Sequence, residues 1–292
     1  MSETEIDEIS GVETTGHEWD GIKELNNPLP KWWLYTMYAT IVWSIGYMLW
    51  FPAIPLIEGG TQGISGRTNR GDLKIELAAV EEAKAAVETQ IAKTDLEGVR
   101  TDPELFRYAR AGGESLYKVF CTQCHGSGAV GAPGYPNLND DDWIWGGDLD
   151  AIYTTIAHGV RNDVDDDARF SDMPAFGDIL DDGEIKAVAN YVRQISNQEH
   201  DTKLATAGVE PFLDNCAACH GEEGKGMRDL GAPNLSDALW LYGGTTEQIA
   251  AQIANPKHGV MPPWLAKLGD AKIKQLAVYV HSLGGGEASP EE

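Results

Sequence analysis

Two Cys-x-x-Cys-His motifs constrain the fold of this chain more than any other feature of its sequence. They lie at residues 121–125 and 216–220 and contain all four cysteines, so none is left for a structural disulfide. Such a motif places two thiols where they form thioethers to one haem, while the adjacent His ligates its iron. The predicted haem-attachment residues and proximal iron ligands are Cys121 and Cys124 with His125, and Cys216 and Cys219 with His220. We therefore predict two haem c groups.

Two other uses of paired cysteines fit the sequence less well. A thioredoxin-like redox pair lies in a βαβ setting, whereas the residues around both motifs have helical patterns. A zinc site uses closely spaced pairs of ligands, but Cys124 and Cys216 belong to separate repeats. Two motifs in matching surroundings favour haem c.

The motifs lie in two copies of one sequence unit, which we place at residues 103–197 and 203–284. In both copies a helix leads into the motif, and a closing helix carries apolar residues on one face. The matches between these helices recur in one order: Pro136–Leu138 and Pro233–Leu235, Trp145–Gly147 and Tyr242–Gly244, His158–Val160 and His258–Val260, Met173 and Met261. The repeat predicts a mainly α fold with two tandem class I cytochrome c domains, joined by a short polar linker.

A methionine opposite the histidine gives a six-coordinate iron of raised potential, as in cytochromes c. Met173 and Met261 each precede a Pro at equivalent positions of the repeat, so we predict that they are the distal iron ligands. By default each ligates the haem of its own unit, but the sequence leaves open a crossed arrangement, with Met173 on the second haem and Met261 on the first. His158 and His258 compete for the same role, although His-Gly-Val is more simply a helix C-terminus.

Residues 31–57 are predicted to form a single transmembrane anchor. From Trp32 to Phe51 they contain no Asp, Glu, Lys, Arg or His, and about 20 apolar residues span the core of a bilayer as a helix. Aromatic side chains at both ends resemble interfacial belts. The other segments are an acidic tail over 1–30, a Gly-rich loop and spacer helix over 58–102, and an acidic tail over 285–292.

The orientation of the anchor follows from the haems rather than from charge. Lysines and arginines lie on both sides of it, so the positive-inside rule does not decide. The acidic N-terminus lacks the positive region of a secretory signal peptide. Because bacteria attach haem c outside the cytoplasmic membrane, we expect both haem domains in the periplasm and residues 1–30 in the cytoplasm.

The formal net charge is −24, from 46 acidic and 22 basic residues. This charge argues against a nucleic-acid partner, because contacts to phosphates need patches of Lys and Arg. A basic protein partner fits better, since complementary fields speed the encounter. Asp140–Asp142 and Asp165–Asp167 are candidate docking residues, and an ordinary solvated loop explains them equally well.

Three segments resemble one family. WDGIKELNNPLPKWW at 19–33, followed by an aromatic-rich span, looks like the N-terminal signature of the dihaem subunit of cbb3-type cytochrome c oxidases, the CcoP or FixP family. CTQCHGSGAVGAPGYPNLNDDDWIWGG and CAACHGEEGKGMRDLGAPNLSD are similar to its two haem domains. The resemblance implies a single-pass protein of the bacterial inner membrane that accepts electrons from a donor cytochrome c. It implies that they pass through both haems to a monohaem subunit and then to the catalytic subunit, where oxygen is reduced and protons are pumped.

Three other functions fit these residues less well. An independent membrane-anchored dihaem cytochrome that shuttles electrons is opposed by the Asn-Asn-Pro-Leu-Pro signature, which a lone anchor does not need. A dihaem peroxidase or a haem-based sensor requires an accessible iron, and the paired Met-Pro motifs oppose both. We expect a conductor of electrons with no catalytic site of its own.

Overall fold

The structure is a computed structural model that describes residues 5–289. Residues 1–4 and 290–292, the outer ends of the two predicted acidic tails, lie outside the described residues. The chain divides near Ala83 into two compact units, residues 1–83 and 84–292.

The described residues are mainly helical, which confirms the predicted fold class in this respect. The elements in chain order are β1 (Thr14–Trp19), β2 (Ile22–Leu25), α1 (Lys31–Trp50), β3 (Pro55–Leu56), β4 (Gly59–Gly60), α2 (Asn69–Lys93), α3 (Leu96–Thr101), α4 (Pro103–Phe120), α5 (Thr122–His125), α6 (Leu149–His158), α7 (Asp182–Ile195), α8 (Thr202–Asn215), α9 (Ala217–His220), α10 (Thr246–Ala254), α11 (Leu265–Leu268) and α12 (Asp270–His281). Two short 3₁₀ helices lie at Phe176–Asp178 and Arg228–Leu230.

An antiparallel hairpin, β1–β2, forms part of the N-terminal segment predicted only as an acidic tail. Asp20 and Gly21 join the strands with φ of 48° and 83°. Positive φ at both central residues is what a tight type I′ hairpin turn requires, and Asp-Gly satisfies it at little cost. The hairpin therefore has a local cause in the sequence.

Helix α1 follows Pro30 and ends where Phe51 becomes extended, next to Pro52. The two prolines suit these places, because Pro fits the start of a helix and cannot continue its interior. None of the side chains of α1 is buried. Across residues 5–289, no helix combines the length and the apolar character that crossing a membrane requires. The transmembrane anchor predicted over 31–57 is therefore not confirmed.

The second compact unit contains two hydrophobic cores that do not follow the order of the chain. The buried residues of the first core come from 91–157 and 273–280. Those of the second core come from 176–253. The segment that builds the second core is thus inserted into the segment that builds the first. The predicted repeats at 103–197 and 203–284 consequently each contribute to both cores.

The helix pairs explain this exchange. Helix α4 leads into the first motif and packs against α12, whereas α8 leads into the second motif and packs against α7. Each closing helix therefore packs on the leading helix of the other repeat. Within the second core the chain order is closing helix, leading helix, motif, which is a circular permutation of the order in the first core.

Glycines allow both helix pairs to cross closely. A Cβ at Gly113 of α4 would lie 2.2 Å from the carbonyl oxygen of Gln275, and one at Gly208 of α8 would lie 2.2 Å from that of Ala187. Both glycines stand eight residues before the first Cys of a motif. The two crossings are therefore equivalent in sequence and in geometry.

The end of α2 is tied to the first core. Ile91 is fully buried there, and the Nζ of Lys274 donates to the carbonyl oxygens of Ala92 and Thr94, both at 2.8 Å. These donations satisfy carbonyls that the last turn of a helix leaves without partners. The C-terminal part of the predicted spacer helix therefore belongs to the second compact unit.

Candidate haem-binding sites

The first motif lies where α4 passes into the one-turn helix α5. Gly126, with φ of 78°, ends that turn. Cys121 is half-buried and Cys124 is exposed. Burial raises the pKa of the Cys121 thiol to about 11, whereas reactive redox cysteines have a lowered pKa. This environment opposes a thioredoxin-like use of the pair.

His125 carries a defined hydrogen bond. Its Nδ1 lies 3.0 Å from the carbonyl oxygen of Pro136, and since this oxygen only accepts, Nδ1 is the donor. Burial lowers the pKa of His125 below its usual range and favours the neutral ring. Nε2 is then left as the acceptor atom, and metal-ligating histidines commonly have this second hydrogen bond.

The second motif repeats these features between α8 and α9. Cys216 is buried and Cys219 is exposed, and burial raises the pKa of the Cys216 thiol to about 11. His220 Nδ1 lies 3.0 Å from the carbonyl oxygen of Pro233. Burial also lowers the pKa of His220. The two sites thus share one design.

The donor sets fit covalently bound haem. Each site offers two free thiols and one neutral imidazole with an unengaged nitrogen. Among the described residues, the only three metal-ligating side chains within 4.8 Å of one another are His158, Asp165 and Asp167. No cysteine belongs to that group.

The segment around Met261 lies against the first core. Met261 and Val160 exchange two backbone hydrogen bonds, at 2.9 and 3.0 Å. The ring of Trp264 lies 5.4 Å from that of Phe120, the residue before Cys121. Met261 and Cys121 both pack against the first core.

The segment around Met173 lies against the second core. Phe176 is buried there, and a Cβ at Gly177 would lie 2.9 Å from the carbonyl oxygen of Ala254 in α10. Met173 packs on the same core as Cys216. Each predicted methionine therefore shares a core with the first Cys of the other repeat's motif.

The competing histidines have carboxylate neighbours. His158 Nδ1 lies 3.1 Å from Asp165 Oδ2, and His258 Nδ1 lies 3.7 Å from Asp172 Oδ1. His158 is the last residue of α6, whereas His258 lies four residues after the end of α10.

The hydrogen-bonding roles of Pro136 and Pro233 were not predicted, although the sequence carries a signal for them. A Pro-Asn-Leu follows each motif in both repeats. Because Pro has a carbonyl acceptor but no N–H donor, only its oxygen can bond a histidine ring, and its recurrence after both motifs indicates a shared role. The distances at both sites agree with that assignment.

Asp142 lies close to other carboxylates, those of Asp140 and Asp141 in its own repeat and that of Asp237 in the second repeat. Burial raises the pKa of its carboxyl group to about 6, and the charges of Asp237, Asp140 and Asp141 add to the effect. Arg228 acts in the opposite direction. The ionised form of Asp142 is therefore disfavoured in the folded protein.

Asp142→Asn is expected to raise the free energy of unfolding at pH 7 by about 1 to 2 kcal/mol, after allowance for solvent screening. The folded carboxyl keeps its proton up to about pH 6, whereas the unfolded one loses it near pH 4. Stability of the unaltered chain should thus fall as the pH rises from about 4 to about 6. Denaturant unfolding across this range measures both effects. Asp163→Asn, at an exposed carboxyl that is not among the charges acting on Asp142, is the control, and equal pH profiles for all three proteins would contradict the prediction.

Comparison with known proteins decides the family. The family described as the N-terminal domain of cytochrome oxidase-cbb3, FixP, matches residues 11–58. The family described as cytochrome c oxidase, cbb3-type, subunit III, matches residues 109–192 and 203–280. The chain belongs to the FixP/CcoP family. The resemblance noted in the sequence is thereby confirmed, and a FixP/CcoP protein of this kind has two cytochrome c domains and two haem c groups.

Curated FixP/CcoP proteins match almost the whole chain. The cbb3-type cytochrome c oxidase subunit FixP of Sinorhizobium medicae is 52% identical over 97% of this chain and 98% of that protein. Subunit CcoP of Cereibacter sphaeroides is 53% identical over 94% of this chain and 95% of its own length. Subunit FixPc of Rhizobium leguminosarum bv. viciae is 53% identical over 98% of this chain and 100% of its own length.

Proposed function

We propose that this chain is the electron-accepting subunit of a cbb3-type cytochrome c oxidase. It takes electrons from a donor cytochrome c and relays them through two haems toward the monohaem and catalytic subunits. The observation that carries this proposal is the pair of Cys-x-x-Cys-His sites, each sharing a core with one methionine. Haem c, when bound, supplies a one-electron couple at each site.

Each haem has a proposed set of four protein groups drawn from both repeats. The first haem is attached by Cys121 and Cys124 and ligated by His125 and Met261; the second is attached by Cys216 and Cys219 and ligated by His220 and Met173. The crossed pairing is supported by the shared cores, since a ligand must reach the iron of the core on which it packs. Two methionine ligands saturate both irons and leave this subunit without a catalytic site of its own.

A membrane anchor at α1 remains part of the proposal. The 20 residues of α1 extend about 30 Å, close to the thickness of the hydrocarbon core of a bilayer. Lys31 is its only charged residue, and its large side chains, such as Trp43 and Leu49, are exposed. Insertion of this helix in the bacterial inner membrane, with the haem domains on the periplasmic side, would cover that apolar surface.

The donor is proposed to be a cytochrome c with a basic face. The net charge of −24 creates a field that attracts such a protein. Complementary charge raises the rate of encounter more than the affinity. Reduction of the subunit by its donor should therefore slow as the ionic strength rises.

Copurification tests the proposed function most directly. When the tagged chain is extracted from membranes in mild detergent, we expect haem-copper oxidase subunits to accompany it and the chain mass to include two haem groups. A tagged single-span membrane protein without haem serves as the control for nonspecific capture. Recovery of a dihaem chain without oxidase subunits would favour an independent electron shuttle instead.

A further inference from the structure

Two aromatic residues at equivalent positions of the repeat make reciprocal contacts between the repeats. Trp145 and Tyr242 each precede a Gly-Gly pair, and Gly134 and Gly231 each lie two residues before the proline that accepts from a haem-motif histidine. The ring of Trp145 lies on Gly231, and the ring of Tyr242 lies on Gly134. The loops that run from each motif to Pro136 and Pro233 are the ones that we call the proximal loops. Each ring therefore touches the proximal loop of the other repeat.

The spacing of these contacts leaves room only for glycine at one of them. A Cβ at Gly231 would lie 2.1 Å from Cζ2 of Trp145, well inside van der Waals contact, and one at Gly134 would lie 3.4 Å from Cε1 of Tyr242. Both glycines have positive φ, of 57° and 87°, which a residue with a side chain rarely adopts. Both rings are half-buried.

Polar contacts surround the two rings. The backbone N–H of Gly134 donates to the carbonyl oxygen of Leu241 at 2.8 Å. The guanidinium of Arg169 lies 5.4 Å from the centre of the Trp145 ring, at a cation–π distance. These contacts restrict the movement of both rings and of the loops that they touch.

The C-terminal segment adds a third connection. Arg228, which follows the second motif, forms a bidentate ion pair with Glu287, at 2.7 and 2.5 Å. The same carboxylate accepts from the backbone N–H of Gly147 at 2.9 Å, two residues after Trp145. This interface thus combines ring contacts, backbone hydrogen bonds and an ion pair.

We propose that Trp145 and Tyr242 are positioning residues for electron transfer between the two haems. Together with Gly231 and Gly134 they hold the two proximal loops, and through His125 and His220 the two irons, at a fixed separation. Electron tunnelling slows exponentially with separation, so loosening this contact slows transfer between the haems while the iron ligands stay unchanged. The inference rests on the proposed relay through both haems.

Leucine and phenylalanine at the two ring positions distinguish positioning from general stability. In the full-length, haem-loaded chain, Trp145→Leu with Tyr242→Leu is expected to slow inter-haem electron transfer by about tenfold, because small misplacements of reacting groups have large kinetic effects. Trp145→Phe with Tyr242→Phe keeps the rings and should retain most of the rate. Transfer is measured by time-resolved absorption after photoinjection of one electron, and the magnetic coupling of the two ferric haems by EPR. Haem content and both potentials should stay unchanged.

Two further variants complete the test, one that displaces the Trp145 ring and one that serves as a control beside Gly134. Gly231→Ala forces the Trp145 ring away and should also slow transfer and weaken the magnetic coupling. Tyr135→Ala removes a ring beside Gly134 and matches Ala232, the equivalent residue of the second repeat. It should change neither the transfer rate nor the magnetic coupling. If the double leucine variant loses haem, Gly231→Ala and the two single leucine variants decide.

If the rate of inter-haem electron transfer and the magnetic coupling stay unchanged in the haem-loaded leucine and Gly231→Ala variants, the positioning role is overturned. This outcome differs from failure of the proposed function, which copurification and haem counting of the unaltered chain report separately. The two proposals can therefore fail independently.

Discussion

Replacing Met261 with Leu is expected to lower the reduction potential of the haem attached at Cys121 and Cys124, by on the order of 100 mV, because a thioether ligand raises the potential of haem iron. Met261 follows the second motif in the sequence, so order along the chain alone would assign the effect to the other haem. The expectation rests on the first core, against which Met261 and Cys121 both pack. Met173→Leu should act in the same way on the haem at Cys216 and Cys219.

Chains that retain one haem separate the two pairings. Cys216→Ala with Cys219→Ala leaves only the first haem, and in that background Met261→Leu should lower its potential while Met173→Leu leaves it nearly unchanged. Cys121→Ala with Cys124→Ala should give the opposite pattern. Potentiometric titration followed by absorption measures each potential, and binding of carbon monoxide reports an iron that has lost its sixth ligand.

Met227→Leu is a matched control for the loss of a methionine. Met227 is 37% exposed and belongs to neither core, so its replacement should leave both potentials in place. If Met173 rather than Met261 changed the first haem, each methionine would ligate the haem of its own repeat, and the crossed pairing would be wrong.

The motifs and the repeat were readable from the sequence because their residues are fixed by local chemistry. Two thiols and an imidazole must stand at set spacings to hold one haem, whatever surrounds them. The Pro-Asn-Leu, Gly-Gly and Met-Pro matches then aligned the two copies. Family membership agrees with that prediction.

The exchange of closing helices was not readable from the sequence. Apolar spacing tells which face of a helix is buried, but not which helix covers it. The two leading helices offer nearly the same surface, since Tyr117 and Phe212 occupy equivalent positions four residues before a Cys. The rings of Tyr117 and Tyr279 are tilted with their centres 5.5 Å apart, and those of Phe212 and Tyr191 meet edge to face at 5.0 Å. Either partner would fit either leading helix, so only the folded arrangement distinguishes them.

The N-terminal segment shows the opposite situation, because its hairpin has a local signal in the sequence. Asp20-Gly21 is a strong hairpin signal when it joins two extended runs, and the structure has a hairpin there. The acidic composition of residues 1–30 predicts only a solvated tail and carries no information on the turn. Tight turns are therefore better predicted from the residues at the turn than from the composition around it.

Gly208→Ala is expected to lower the free energy of unfolding of the second core by about 2 to 3 kcal/mol, because overpacking a close crossing strains it. Helix propensity acts in the other direction, since Ala is favoured over Gly in a helix interior by about 1 kcal/mol. The clash prevails here because the new Cβ would meet backbone atoms, the carbonyl oxygen of Ala187 at 2.2 Å and the amide nitrogen of Val188 at 2.8 Å. Backbone atoms cannot move aside without shifting the helix. Gly46→Ala, at a helical glycine with nothing within 4 Å of the new Cβ, is the matched control and should cause no such loss.

The identity of the helices that lose protection tests the exchange of closing helices as well as the clash. With α8 packed on α7, Gly208→Ala should speed amide hydrogen exchange in both of these helices while α4 and α12 keep their protection. With each repeat folded on itself, the same substitution would instead expose α12 and leave α7 protected. Gly113→Ala should produce the complementary pattern, faster exchange in α4 and α12, since its Cβ would lie 2.2 Å from the carbonyl oxygen of Gln275. Since α7 precedes the second motif in the chain, its loss together with α8 can arise only if the second core is built across the boundary of the repeats.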